Sequence, residues 1–198
     1  TPGPGAAARG LGAAHGPGIF IFAFLTLLNE WPTIEPAADK RAISTSVAMI
    51  IAGGCLFGAT GALMLTLIAA SRSWAKCRSG INGLLLHSSH HLLGALICLN
   101  FFDWTGTAIT SQLAVTPLLV ITTVTLVYYW VTSLVIAGVM HWDNDQPVHS
   151  VWYKQFRRLW PHYIGIGIMA YLLAWGYLSN GIIGVLIFAA LLFVWWIS

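Results

Sequence analysis

The chain has 198 residues, 58% of them hydrophobic and only 8% charged, with a mean hydropathy of +0.78 and a net charge of +3. That balance excludes an ordinary soluble domain. So small and scattered a positive charge also argues against nucleic-acid binding, which leaves the lipid bilayer as the natural partner. Charge-free stretches run over 42–71, 79–102, 104–142 and 159–198, each longer than the roughly 20 apolar residues that cross a ~30 Å hydrocarbon core. The expected fold is all-α: a polytopic helical membrane protein with five (or four) transmembrane helices plus an interfacial amphipathic helix. A multi-pass protein of this kind belongs in a bacterial inner membrane or an organellar membrane.

Residues 1–17, rich in Ala, Gly and Pro with Arg9 as their one charge, read as a flexible tail. Residues 18–41 read as a short interfacial apolar segment and a loop, and 42–198 as the transmembrane helical domain. The apolar run Gly18 to Leu28, ended by Asn29, Glu30 and Trp31-Pro32, is too short to cross. The first span is expected over 42–70, where Gly54, Gly58 and Ala62 recur at i, i+4 and i+8 as a small-residue stripe that admits a neighbouring helix. On that reading Gly58→Leu should harm assembly much more than Leu65→Ala.

Arg72, Lys76 and Arg78 follow in a loop without acids, and a second span is expected over 80–102. The connection at 103–112 holds no basic residue. The third span starts near Pro117, acceptable in a first helical turn, and runs to Met140. Thr122, Thr125, Tyr129 and Thr132 with Ser133 form a hydroxyl stripe along it, suited to bonding back to the helix, bonding a neighbour or lining a hydrated path.

From 148 to 160 the pattern turns amphipathic. Val148, Val151, Trp152, Phe156 and Leu159 recur at helical spacing, with His149, Lys154, Arg157 and Arg158 mostly opposite, so a surface helix in the headgroup plane, stopped by Pro161, is expected. The remainder from His162 is too long for one crossing, at ~55 Å if continuous. The turn signal Ser179-Asn180-Gly181 divides it into two short spans, 162–178 and 182–197, with one long helix as the alternative.

No internal repeat is evident. The basic stretches at 72–78 and 154–158 should face the same compartment. Eight tryptophans, Trp31, Trp74, Trp104, Trp142, Trp152, Trp160, Trp195 and Trp196, fall near expected span ends as aromatic belts.

Chemistry is sparse. No Asp, Glu, Lys or Arg lies within an expected span, which weighs against ion-coupled transporters and voltage sensors. Cys55, Cys77 and Cys98 have no disulfide or metal spacing. No catalytic motif appears, so no catalytic residue is assigned and a non-enzymatic role is favoured.

The sharpest feature is His87, His90 and His91 inside the second span, with His87 sharing a helical face with the other two. The string His-x-x-His-His resembles one histidine box of the membrane fatty-acid desaturases and hydroxylases. That resemblance covers five residues and implies a di-iron, metal-dependent membrane enzyme. Independently, a neutral imidazole can ligate the magnesium of a chlorophyll-type pigment or the iron of haem b, so all three are candidate cofactor-binding residues. The structural reading is polar bonding between helices.

The function expected from these features is a non-catalytic integral-membrane subunit of a larger respiratory or photosynthetic complex, with other membrane-protein subunits as partners and His-ligated tetrapyrrole as an option. A channel or transporter component with a hydroxyl-lined path, and a histidine-box enzyme, are the alternatives.

Overall fold

The computed structural model describes residues 16–29, 46–77, 89, 91–93, 96–97, 100–101, 104–105, 109–144 and 147–197. Its helices, in chain order, are α1 (Gly16–Asn29), α2 (Ser46–Cys77), α3 (Val115–Asn144), α4 (Val148–Gln155) and α5 (Trp160–Ile197). Residues 89, 91–93, 96–97, 100–101 and 104–105 are helical as well, and no strand occurs among the described residues. Three helices are long and apolar enough to cross a membrane: Ser46–Ser71, Val115–Trp142 and Trp160–Ala190.

Two of those three are bent back on themselves. In α2 the backbone leaves helical geometry at Gly58 (φ 68°, ψ −158°), and in α5 at Gly181 (φ 60°, ψ −136°). Both are left-handed conformations that only glycine enters without a Cβ penalty. The chain then reverses. A Cβ built on Gly61 would lie 2.9 Å from the carbonyl oxygen of Gly53, and one on Gly176 would lie 3.2 Å from that of Gly184. Each pair is eight residues apart, which a continuous helix would separate by ~12 Å. The rings of Trp175 and Phe188, thirteen positions apart, meet at 6.2 Å across the second reversal.

The two hairpins share a sequence pattern. Gly53, Gly58 and Gly61 have the same spacing as Gly176, Gly181 and Gly184, written G-x4-G-x2-G. This short repeat escapes a reading of the sequence because its glycines do different jobs: the central one turns the chain and the flanking two let the arms touch. It also corrects the expected stripe. Gly54, Gly58 and Ala62 do not continue one helical face, because the helix ends between them. A Cβ on Gly58 would meet nothing within 4 Å, whereas Leu65 is fully buried with its side chain over Gly53. The expected contrast between Gly58→Leu and Leu65→Ala therefore loses its basis: the first costs backbone strain and the second leaves a cavity.

The bundle is built on α3, the unbroken apolar helix. α5 packs along α3, α2 packs against α1 and α5, and α4 lies on α3. The short helix α1 seats Phe22 and Thr26, both fully buried, in the core. Phe22 meets Phe57 edge-on at 5.6 Å and Tyr177 at 6.1 Å, and Phe57 meets Tyr177 at 5.8 Å. This aromatic triad joins α1 to both hairpins and puts their reversals at the same end of the molecule.

The amphipathic segment is shorter than its pattern. α4 ends at Gln155, Phe156 to Arg158 form a turn, and Pro161 sits in the first turn of α5 instead of stopping a helix. Proline suits that place, since its missing N–H would have no intrahelical partner there. Nor does α4 extend away from α3. Trp152 Nε1 donates to Ser133 Oγ (3.0 Å) and the Tyr129 hydroxyl donates to the Phe156 carbonyl (2.7 Å), so α4 runs back antiparallel along α3. The indole of Trp152 stacks on Trp130 at 4.8 Å. Trp104, Trp142 and Trp160, by contrast, are exposed as belt residues would be.

Candidate functional site

Of the three candidate histidines, His87 and His90 lie outside the described residues, and His91 is buried. Its Nδ1 and the Tyr128 hydroxyl form a 2.6 Å hydrogen bond, with the rings tilted 26° and their centroids 6.4 Å apart. The bond runs from the phenol O–H to Nδ1 in the Nε2-protonated tautomer, and from Nδ1–H to the phenol oxygen in the other. Tyr128 is fully buried on α3, so the bond ties the helical residues 91–93 to the centre of the bundle.

Tyr128 was not singled out by its sequence. Its position carries a signal all the same, because Ile121, Thr125, Tyr128 and Thr132 fall at i, i+4, i+7 and i+11 on one face. All four are buried. Tyr129, which the hydroxyl stripe included, faces α4 instead, and its ring lies 4.8 Å from that of Tyr163 at the start of α5.

The other four stripe hydroxyls bond to their own helix. Thr122 donates to the Leu118 carbonyl, Thr125 to Ile121 and Thr132 to Tyr128, each at 2.8 Å. Ser133 donates to the Trp130 carbonyl at 3.1 Å and accepts from Trp152. In an apolar medium this back-bonding satisfies the hydroxyl without a partner helix. It also leaves a smooth surface: a Cβ on Gly167 of α5 would come 2.9 Å from Thr122 Cα and 3.1 Å from Thr125 Oγ1. The part of the hydroxyl stripe at Thr122 and Thr125 is covered by α5 at Gly167.

At the other end, Tyr171 of α5 holds the start of α3. Its hydroxyl accepts from the Ala114 N–H (2.8 Å) and donates to the Ala114 carbonyl (3.0 Å). Trp175 Nε1 and the Ser179 hydroxyl both donate to the Ser111 carbonyl, at 2.9 and 3.0 Å.

His141, His149 and His162 are exposed, and no group of three His, Cys, Asp or Glu side chains comes together among the described residues. Replacing His91 by Gln should lower stability by about 1 kcal/mol, since an amide retains both a donor and an acceptor for a contact between membrane helices. A double-mutant cycle with Tyr128→Phe, read from thermal midpoints in detergent, checks this: additive losses would mean the two side chains are not coupled.

Comparison of the chain with protein-family models, with curated proteins and with solved structures finds no match.

Proposed function

We propose that this chain is a non-catalytic, multi-pass membrane subunit that packs within a larger membrane complex of the respiratory or photosynthetic kind. The observation that carries the reading is how the polar groups are used. The buried hydroxyls of α3 are spent on the chain's own carbonyls, and His91 is joined to Tyr128, so the bundle spends its polar chemistry on holding itself together. Its outward faces are apolar: Ile182, Ile183, Leu186 and Ile187 on the last arm are 45–68% exposed. Such a surface suits lipid or the apolar flank of another subunit.

The reversals at Gly58 and Gly181 share one end, marked by the Phe57–Tyr177 contact, so the segments leaving α2 beyond Ser71 and entering α5 at Trp160 lie at the other. This arrangement supports a common side for the two basic stretches, the side that carries positive loops in most membrane proteins.

Purification in mild detergent, with mass-spectrometric identification of co-purifying chains and an absorption spectrum, tests the proposal. The expected result is stoichiometric association with other membrane subunits. A chain that runs alone and conducts ions or solutes after reconstitution would replace the proposal with the channel reading.

Ligation of a tetrapyrrole by His91 has one observation in its favour. With Nδ1–H donating to the Tyr128 oxygen, the bond fixes the ring and leaves Nε2 unprotonated to ligate, as the partners of axial histidines do. A chromophore band lost in His91→Gln alone would establish it.

A further inference from the structure

The turn between α4 and α5 encloses an open hollow of about 760 Å³ lined by Tyr153, Lys154, Arg157, Arg158, Trp160 and Pro161. Three of these six are cationic and none is acidic. We propose that this hollow binds the phosphate headgroup of an anionic phospholipid, with the acyl chains lying along α5.

Arg157 is already oriented for such a ligand. It donates to the Tyr153 hydroxyl, and its guanidinium carbon lies 4.6 Å from the centre of the Tyr153 ring. A guanidinium carries five N–H donors, so one bond to a phenol fixes the plane and leaves the remaining donors for a phosphate fork. Arg158 and Lys154 are exposed beside it. Cations gathered at the end of a membrane helix attract anionic headgroups with about 1 kcal/mol each.

The placement selects a lipid over a soluble phosphate. The hollow opens at the first residue of the apolar stretch Trp160–Ala190, and both Tyr153 and Trp160 are 51% exposed. Amphipathic rings at a span end mark the headgroup level. Below them Trp160, Ile164 and Ile168 follow at i, i+4 and i+8 along one face of α5, and Ile168 is exposed. A free anion would use the cations alone, whereas a phospholipid would use the cations and this apolar ridge together. The inference rests on α5 lying in a membrane, not on the chain being part of a complex.

The full chain reconstituted in phosphatidylcholine vesicles, with trace spin-labelled phosphatidylglycerol or spin-labelled phosphatidylcholine, tests the site through the fraction of immobilised label. Phosphatidylglycerol should be held in preference. Arg157→Gln and Arg158→Gln should each lower that preference about fivefold, the ratio equivalent to ~1 kcal/mol per cation. Arg158→Lys should keep most of it. Arg158→Gln carries the test if Arg157→Gln also disturbs the Tyr153 contact.

The proposal is overturned if the wild-type chain shows no preference, or if Arg72→Gln lowers it equally, which would make it a property of overall charge. It is overturned too if inorganic phosphate displaces the label beyond the effect of chloride at the same ionic strength, which would reassign the hollow to soluble phosphates.

Discussion

Gly184→Leu is expected to prevent the second hairpin from closing and to remove most of the intact, assembled protein. A Cβ at this position would come 2.6 Å from the carbonyl carbon of Gly176 and 3.0 Å from its Cα. Those are backbone atoms, and they cannot rotate aside as a side chain can. Overpacking of a well-filled site typically costs ~1–3 kcal/mol, and displacement of a whole helical arm belongs at or above the top of that range. The hairpin also presents Val185, fully buried, and Phe188 to the core, so opening it undoes more than the glycine contact. The yield of monodisperse protein in mild detergent measures the effect. Gly138→Leu is the matched control, because a Cβ there meets nothing within 4 Å. Equal yields from the two variants would remove the case for backbone contact between the arms.

The second large effect is expected at Tyr171, where phenylalanine should destabilise the bundle by about 2 kcal/mol or more. Tyr171 is 1% exposed, and its hydroxyl serves both the N–H and the carbonyl of Ala114, the residue before α3. Phenylalanine fills the same volume but leaves the Ala114 N–H bare at the start of the central helix, where the helix itself offers it no partner, while the Ala114 carbonyl keeps its place as first intrahelical acceptor. Bare backbone groups are dearer still where water is excluded. Ser179→Ala, which removes one of two donors to the Ser111 carbonyl, should cost under about 1 kcal/mol. Denaturant titrations in detergent read both. A Tyr171→Phe variant as stable as the wild type would show that water reaches the Ala114 N–H.

How far the candidate site was legible follows from the same physics. The histidine string stands out because imidazoles are costly among leucines, and the hydroxyl stripe stands out because its spacing is helical. Neither observation names a partner. Tyr128 lies 37 positions from His91, and Trp152 lies 19 from the Ser133 hydroxyl it reaches. A one-dimensional pattern says that a face will be buried; it does not say which neighbour the face meets. The amphipathic pattern over 148–160 continues in phase across the end of α4, because Phe156 and Leu159 stay apolar while the backbone turns. Periodicity therefore overran the helix by several residues.

The helical class of the chain, with stretches long and apolar enough to cross a membrane, is legible in the residues alone, since charge-free stretches of this length have few other stable states where backbone groups must be satisfied internally. The residues also mark Gly181 as a turn, through the polar pair Ser179-Asn180 before it. That Gly58 turns the chain as well emerges only in the folded bundle, since Thr60 alone stands near it where Ser179-Asn180 precede Gly181. The physical reason is the same at both places. A glycine's freedom to take positive φ is latent in the sequence and is used only when the two arms gain enough contact to offset the broken helix, and that contact is supplied by Gly53 against Gly61 and Gly176 against Gly184.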